Sequence, residues 1–353
     1  MGQDKDISIN KKKSGILIIQ NGKLGRDQIN GYPIKKYYKY LGVELDSSLS
    51  PKVHLNKVHL KLRTYIDRNQ WLIRKYFSPK SLINICNYFQ MSRLSYGMCS
   101  FLDTPEIMKA LETMKMHYLR SMLGFKENIS SDRLRLALNS PLLEFELFTR
   151  LNQVLITYQK HFGEFPKMYH EIILLYRNEL EITGLESKSE LMVKSKRASI
   201  RRIANREGIK VGDGYYIGMT YLYVYPDRRE RFLIRVLTKA GMFDTRLFPS
   251  CLACKSINSR KHIINDCEYL KEYREKLSKV LAKLKREEVA DLEEEILTCI
   301  FNPPALKPKE WRLMLNSIKE FVAQIFCKLP PSGTKDNLKT IVETLESSGS
   351  SSL

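Results

Sequence analysis

Between residues 251 and 267 the chain sets Cys251, Cys254, His262 and Cys267 at intervals of two, seven and four intervening residues. Three Cys and one His so close together suit a tetrahedral zinc ion, which accepts thiolate and imidazole without a strong geometric demand. Three thiolates and a neutral imidazole around the dication leave a formal charge of −1. Lys255, Arg260 and Lys261 lie beside the set, where they would offset that charge and present cations to phosphate. With all four positions occupied no place remains for water or substrate, so the expectation is one structural zinc, not a catalytic one. Three of the seven cysteines belong to this interval. Cys86, Cys99, Cys299 and Cys327 lack metal-ligand spacing and are expected in the core. An odd cysteine count in 353 residues argues against a disulfide framework and for a reducing compartment. No apolar signal core follows Met1, so a nuclear or cytoplasmic location, not secretion, is expected.

Charge narrows the partners. The chain carries 59 Lys+Arg against 39 Asp+Glu, a net charge of +20, more than solubility requires. The excess is uneven: residues 1–100 hold 18 basic and 6 acidic side chains, 101–185 hold 10 and 11, 186–240 hold 13 and 6, and 241–353 hold 18 and 16. Two basic regions thus flank a neutral middle, and nucleic acid is the leading partner class. No apolar run approaches the roughly 20 residues needed to span a bilayer, so no membrane role is expected.

The periodicities predict a mainly α protein with a small N-terminal β region. Residues 14–20 and 38–45 read as two strands separated by Asn-Gly and Gly-Tyr-Pro turn signals. From Pro51 the period becomes helical: Leu55, Val58, His59, Leu62 and Ile66 share one face, and Ser78-Pro79 starts a second helix. Residues 105–123 and 141–181 continue the pattern. A Lys/Ser/Glu-rich stretch at 185–196 reads as a linker before a basic helix near 194–207. Further helices are expected from beyond Cys267 to about 300 and at 309–327, with Glu293-Glu294-Glu295 on a solvated face. The expected division is 1–50 strands, 51–184 helical bundle, 185–245 basic connector, 246–275 zinc knuckle, 276–330 C-terminal helices, and 331–353 a disordered, serine-rich tail.

Within the basic connector, Arg228, Arg231, Arg235 and Lys239 advance by three, four and four residues, a helical stripe able to track a phosphate backbone. Lys194, Arg197, Arg201, Arg202 and Arg206 form a less regular one. Tyr215, Tyr216, Tyr221, Tyr223 and Tyr225 could stack on unpaired bases, although alternating tyrosines in a strand more often pack.

Several of these segments, in order, resemble reverse transcriptases of non-LTR retrotransposons. Ile9-Asn-Lys-Lys-Lys-Ser-Gly-Ile-Leu17 resembles the motif just downstream of that family's catalytic aspartates. Tyr38-Lys-Tyr-Leu-Gly-Val-Glu-Leu-Asp46, with His54 after it, resembles the strand pair where palm meets thumb and the primer end is held. Arg235-Val-Leu-Thr-Lys-Ala-Gly-Met-Phe243, the Cys/His set and Arg274 resemble the C-terminal region and its CCHC knuckle. The resemblance implies a palm remnant, a helical thumb, a connector and a knuckle, with Lys11, Lys12, Lys13, Lys35 and Lys36 facing primer or template and Tyr40, Leu41 and Gly42 at the primer grip. The charge stripes and the basic residues beside the Cys/His set add Arg197, Arg201, Arg228, Arg231, Arg235, Lys239, Lys255, Arg260 and Lys261 as expected nucleic-acid contacts. Polymerisation needs palm aspartates holding two divalent cations, and the chain contains no Asp-Asp dipeptide. The expectation is therefore a truncated or domesticated piece that binds RNA, DNA or RNA–DNA hybrid without copying it. The alternative is a zinc-containing scaffold subunit of a ribonucleoprotein complex.

Overall fold

The structure, a computed structural model, describes residues 14–19, 27–40, 42–125, 129–163, 170–180, 187–212, 229–239, 243–246, 248–285 and 287–329. Lys11, Lys12, Lys13, Leu41, Arg228, the tyrosines of 215–225 and the tail at 331–353 lie outside the described residues.

Two short hairpins open the fold. Strands β1 (Gln28–Ile29) and β2 (Tyr32–Pro33) pair antiparallel around Asn30 and Gly31. Both loop residues have positive φ, 50° and 77°, the conformation that makes Asn-Gly favoured in two-residue hairpins. Of the strand expected at 14–20, the described residues 14–19 show only a parallel bridge from Ile16 to Ile34. The run 38–45 is not one strand. It folds back on itself as β3 (Tyr37–Tyr40) and β4 (Val43–Asp46), with Tyr40 opposite Val43. Gly42 makes this possible at φ +92°, which residues with a Cβ rarely adopt. The Tyr96 ring lies against Gly42 where an added Cβ would meet it at 3.2 Å.

Helices build the rest. The first, α1 (Lys52–Tyr76), buries Leu55, Leu62 and Ile66 against β4 and α4 (Pro105–Leu123). Between them, α2 (Pro79–Ile85) starts at Ser78, whose hydroxyl accepts from the Ser81 amide at 3.2 Å; a wider turn, Cys86–Met91, leads into α3 (Ser92–Leu94). At the centre of the core, α4 keeps Leu111, Tyr118 and Met122 fully buried. Its end, Gly124, takes the left-handed conformation at φ 76° and returns its N–H to the last turn.

Helix α5 (Ser131–Leu138) is short and was not signalled by periodicity; Ser130 caps its start and Asn139, at φ 49°, its end. Next come α6 (Leu143–Phe162), α7 (His170–Glu179) and α8 (Lys188–Glu207). Tyr176 of α7 stacks on Phe148 of α6 with centroids 4.6 Å apart. Truncating Phe148 to Ala is expected to cost about 3–5 kcal/mol in chemical denaturation, because both the apolar surface and its rigid partner are lost.

Helix α8 overturns the linker at 185–196. The hydroxyl of Ser187 accepts from the Glu190 amide while Glu190 accepts from the Ser187 amide, a reciprocal cap that starts the helix at Lys188. Beyond it, α9 (Glu230–Thr238) packs on α5 and on α12 (Pro308–Lys328), which in turn packs on α10 (Lys271–Lys285). Between the last two lies α11 (Leu292–Phe301). One hydrophobic cluster links Val43 of the hairpin to Phe326 of α12. Charges that enter it are paired: buried Lys115 reaches the Pro141 carbonyl at 2.9 Å and Glu146 at 3.0 Å. Among the described residues no helix is long and apolar enough to cross a membrane.

Candidate metal centre and basic surface

The segment from Pro249 to Leu270 supplies the four candidate ligands from two small turns. In the first, Cys251 accepts from the Lys255 amide at 3.1 Å and gives its own amide to Ser256 O at 2.8 Å. Lys255 closes this turn at φ 63°, and an antiparallel bridge from Ser250 to Ile257 seals its base. Asn258, buried, ties the base to the preceding chain through Phe248 O at 2.6 Å. In the second, the Ser259 hydroxyl caps the His262 amide at 2.9 Å, and a wide helical turn, His262–Asp266, returns the Cys267 amide to His262 O at 2.8 Å.

These turns bring Cys251, Cys254, His262 and Cys267 together, with their ligand atoms all within 4.8 Å of one another. The Cys251 and Cys267 sulfurs are 3.9 Å apart, and Cys254 Sγ is 3.1 Å from His262 Nε2. A tetrahedral ion with metal–sulfur bonds near 2.3 Å separates its sulfurs by about 3.8 Å, so the four residues can hold one metal ion with little movement. Hydrogen bonds from Ser256, first its side chain and then its backbone, pull the Cys254 thiol down to about 6, whereas burial pushes Cys267 up to about 12. A metal ion is bound by thiolates, so its binding here would release thiol protons, most of all where burial disfavours the charge.

No family model matches the chain, and no curated protein or solved structure is similar to it.

Around the cluster, neighbours turn a loop into a joint between helices. Asn265 donates to Asp291 Oδ1 at 2.8 Å and accepts from the Glu293 amide at 3.0 Å, fastening the second turn to the start of α11. Asp291 also caps α11 through the Glu294 amide, at 3.1 Å. With Asn265, that amide and Lys261 all stabilising its charged form, Asp291 is held down at about 2. Its folded value lies below its unfolded one, so its contribution is complete above about pH 4 and fades as pH falls towards 2. Replacing Asp291 by Ala is expected to remove about 1 kcal/mol and to fray the start of α11 in amide exchange. Arg274 of α10 donates to Cys267 O at 3.2 Å.

The residues expected to meet nucleic acid differ in their surroundings. Arg260 is mostly buried; it pairs with Glu293 and donates to Val236 O of α9 at 3.3 Å. Lys261 pairs with Asp291 at 2.9 Å, and Lys255 donates to Leu252 O at 3.2 Å in its own turn. The acidic run at 293–295 is therefore not a solvated face throughout: Glu293 holds Arg260, and Glu295 takes Lys285 at 2.8 Å and the Cys299 thiol at 3.1 Å. On α9, Arg231 donates to Phe77 O at 2.7 Å and Arg235 lies 5.8 and 5.9 Å from the ring centres of Phe125 and Phe326, while Lys239 caps the helix at φ 54° and is exposed. On α8, Arg201 is exposed and Arg197 half-buried.

The N-terminal hairpin carries the remaining candidates. Lys36 and Lys39 are exposed, Lys36 lying over the Tyr37 ring at 5.7 Å and Lys35 over Tyr38 at 5.5 Å. Tyr40 is 63% exposed and Tyr96, against Gly42, is 55% exposed. The pairing of Asn265 with Asp291 and of Arg260 with Glu293 had no signature in the sequence, since the partners lie on different elements.

Proposed function

We propose that the chain is a zinc-stabilised protein that binds RNA or RNA–DNA hybrid, corresponding to the thumb, connector and CCHC knuckle of a non-LTR reverse transcriptase, and that it does not polymerise. The observation that carries this reading is the hairpin at Tyr37–Asp46, where exposed Tyr40 stands on the same short element as Lys39 and beside Lys36. Flat aromatic faces among mobile cations are what an unpaired strand needs: stacking for bases and charge for phosphates. The excess of 18 basic over 6 acidic residues in 1–100 supports it further. Three thiolates and an imidazole favour zinc over harder ions; when bound, zinc would order the Cys251–Cys267 turns and join α10 to α11. A protein with no Asp-Asp pair has no evident means of placing two polymerase metals, which leaves binding as the activity.

Binding is expected to weaken steeply with salt. For a fluorescent oligoribonucleotide, affinity should fall by about 100-fold or more between roughly 50 and 200 mM salt. Replacing Lys35, Lys36 and Lys39 by Gln should flatten the log–log slope by about 2. An affinity indifferent to salt contradicts the reading. A second reading, a zinc-containing RNA-binding scaffold in a ribonucleoprotein, is favoured by apolar side chains on the outer helices: Val154, Phe162, Leu174 and Leu175 are each more than 60% exposed.

A further inference from the structure

Helices α1 and α4 enclose a groove that includes none of the metal ligands. His59 and Arg63, one turn apart on α1, face Lys109, Thr113 and His117, successive turns of α4, with Glu106 at the same lining. The His59 and His117 rings meet edge to face at 5.8 Å. The one acidic lining residue, Glu106, is engaged by Lys52 at 3.0 Å, and Arg63 contacts Asp67 loosely, at 3.7 Å. The lining thus gathers two cations and two imidazoles around a single carboxylate that already has a partner. We propose that this groove is a phosphate-binding site that takes its ligand more tightly as His59 gains a proton.

Tyr118 makes the second part of this proposal workable. Its ring is fully buried and burial keeps its hydroxyl protonated. Tyr118 Oη lies 2.8 Å from His59 Nδ1 and 3.4 Å from the His59 carbonyl. While His59 is neutral, Tyr118 donates to Nδ1 and the imidazole proton sits on Nε2. When His59 is protonated, Nδ1–H donates to Tyr118 and the hydroxyl turns to the carbonyl. Both charge states are therefore hydrogen-bonded, and neither leaves a buried polar atom stranded. Burial first, then His117 and Arg63, oppose a charge on His59. From α1 it faces Arg63, and from α4 it faces His117, Tyr118, Lys109 and Glu106; among the described residues β4 and α3 add no charged group that acts on it. An anion in the groove cancels the repulsion from His117 and Arg63, so protons and anion favour each other's binding.

Two probes test this on the intact chain: sulfate, a phosphate mimic whose charge is constant at near-neutral pH, and a short oligoribonucleotide. Ionic strength is held constant with chloride, and binding is followed through the imidazole NMR signals of His59 and His117. Sulfate affinity is expected to be about tenfold higher at pH 6 than at pH 8. Arg63→Gln with Lys109→Gln, both exposed positions, should weaken it about tenfold, and His59→Gln should abolish the pH dependence. A response to sulfate supports the site whether or not the chain binds RNA, and so stands or falls apart from the function proposed above. A response to the oligonucleotide alone assigns the groove to backbone phosphate. Silence of both imidazoles with both probes, or equal sulfate affinity in the Arg63→Gln/Lys109→Gln variant, overturns the proposal.

Discussion

Removing the metal from the intact chain is expected to unfold residues 249–270 and to loosen α11, while α4 and α6 stay folded. Apart from the ligands Cys251 and Cys267, the turns at Cys251–Ser256 and His262–Cys267 bury only Ile263 and Ile264 as apolar core side chains. Their shape otherwise depends on short hydrogen bonds within the loop. Structural zinc in small modules provides folding free energy of about 10 kcal/mol or more at neutral pH; here the surrounding helices reduce the dependence, and a local loss of several kcal/mol is expected. Amides of Lys255, Asn258 and Cys267, which bond Cys251, Pro249 and His262, should exchange at least about 100-fold faster after chelation. The Glu293 amide, held by Asn265, should follow them, because the second turn carries that asparagine. Acid should act in the same direction. Thiolates regain protons as pH falls, so metal affinity drops with decreasing pH and is strongest on the alkaline side. Exchange rates unchanged in metal-free chain would remove the metal from the account of this region.

Breaking the ion pair between Glu230 and Lys319 is expected to have the largest effect of any single polar substitution. Both side chains are wholly inaccessible, with Lys319 Nζ 3.1 Å from Glu230 Oε1. Glu230 lies in the first turn of α9, where the helix dipole favours a negative charge. Lys319 comes from α12, whose Phe326 stacks on Phe232 of α9 at 4.9 Å. Changing Lys319 to Met leaves a carboxylate in the core without its cation, and about 3–5 kcal/mol of stability should be lost. Combining it with Glu230→Gln should restore much of that loss, because the buried charge disappears with its partner. A double-mutant cycle in urea reads this directly. Additive losses would show that the pair is not coupled.

Local spacing was legible where the determining partners are close in sequence. The Cys/His set, the Ser78-Pro79 start and the Leu55–Ile66 face depend on intervals of a few residues, and the structure realises each. Elements fail to announce themselves when the deciding signal is small or distant. The hairpin at 37–46 looks like one strand because Gly42 is the one turn-favouring residue between its two halves, and α5 is too short for a helical period to emerge. Around 185–196 the Lys/Ser/Glu composition imitates a solvated linker, although Ser187 and Glu190 stand at the spacing of a reciprocal cap. Cations are the least legible of all. Nothing near Arg260 in sequence announces Glu293, 33 residues later, nor does Arg231 announce the carbonyl of Phe77. A charge stripe fixes which way side chains leave a helix, but not what waits for them.

On the proposed function, the four donors of the two turns hold a single zinc ion. Metal content of the purified, intact chain, counted by plasma mass spectrometry, tests it most directly. One zinc per chain is expected, and none in a Cys251→Ser/Cys254→Ser variant. A folded chain prepared with zinc present and carrying no metal would contradict it.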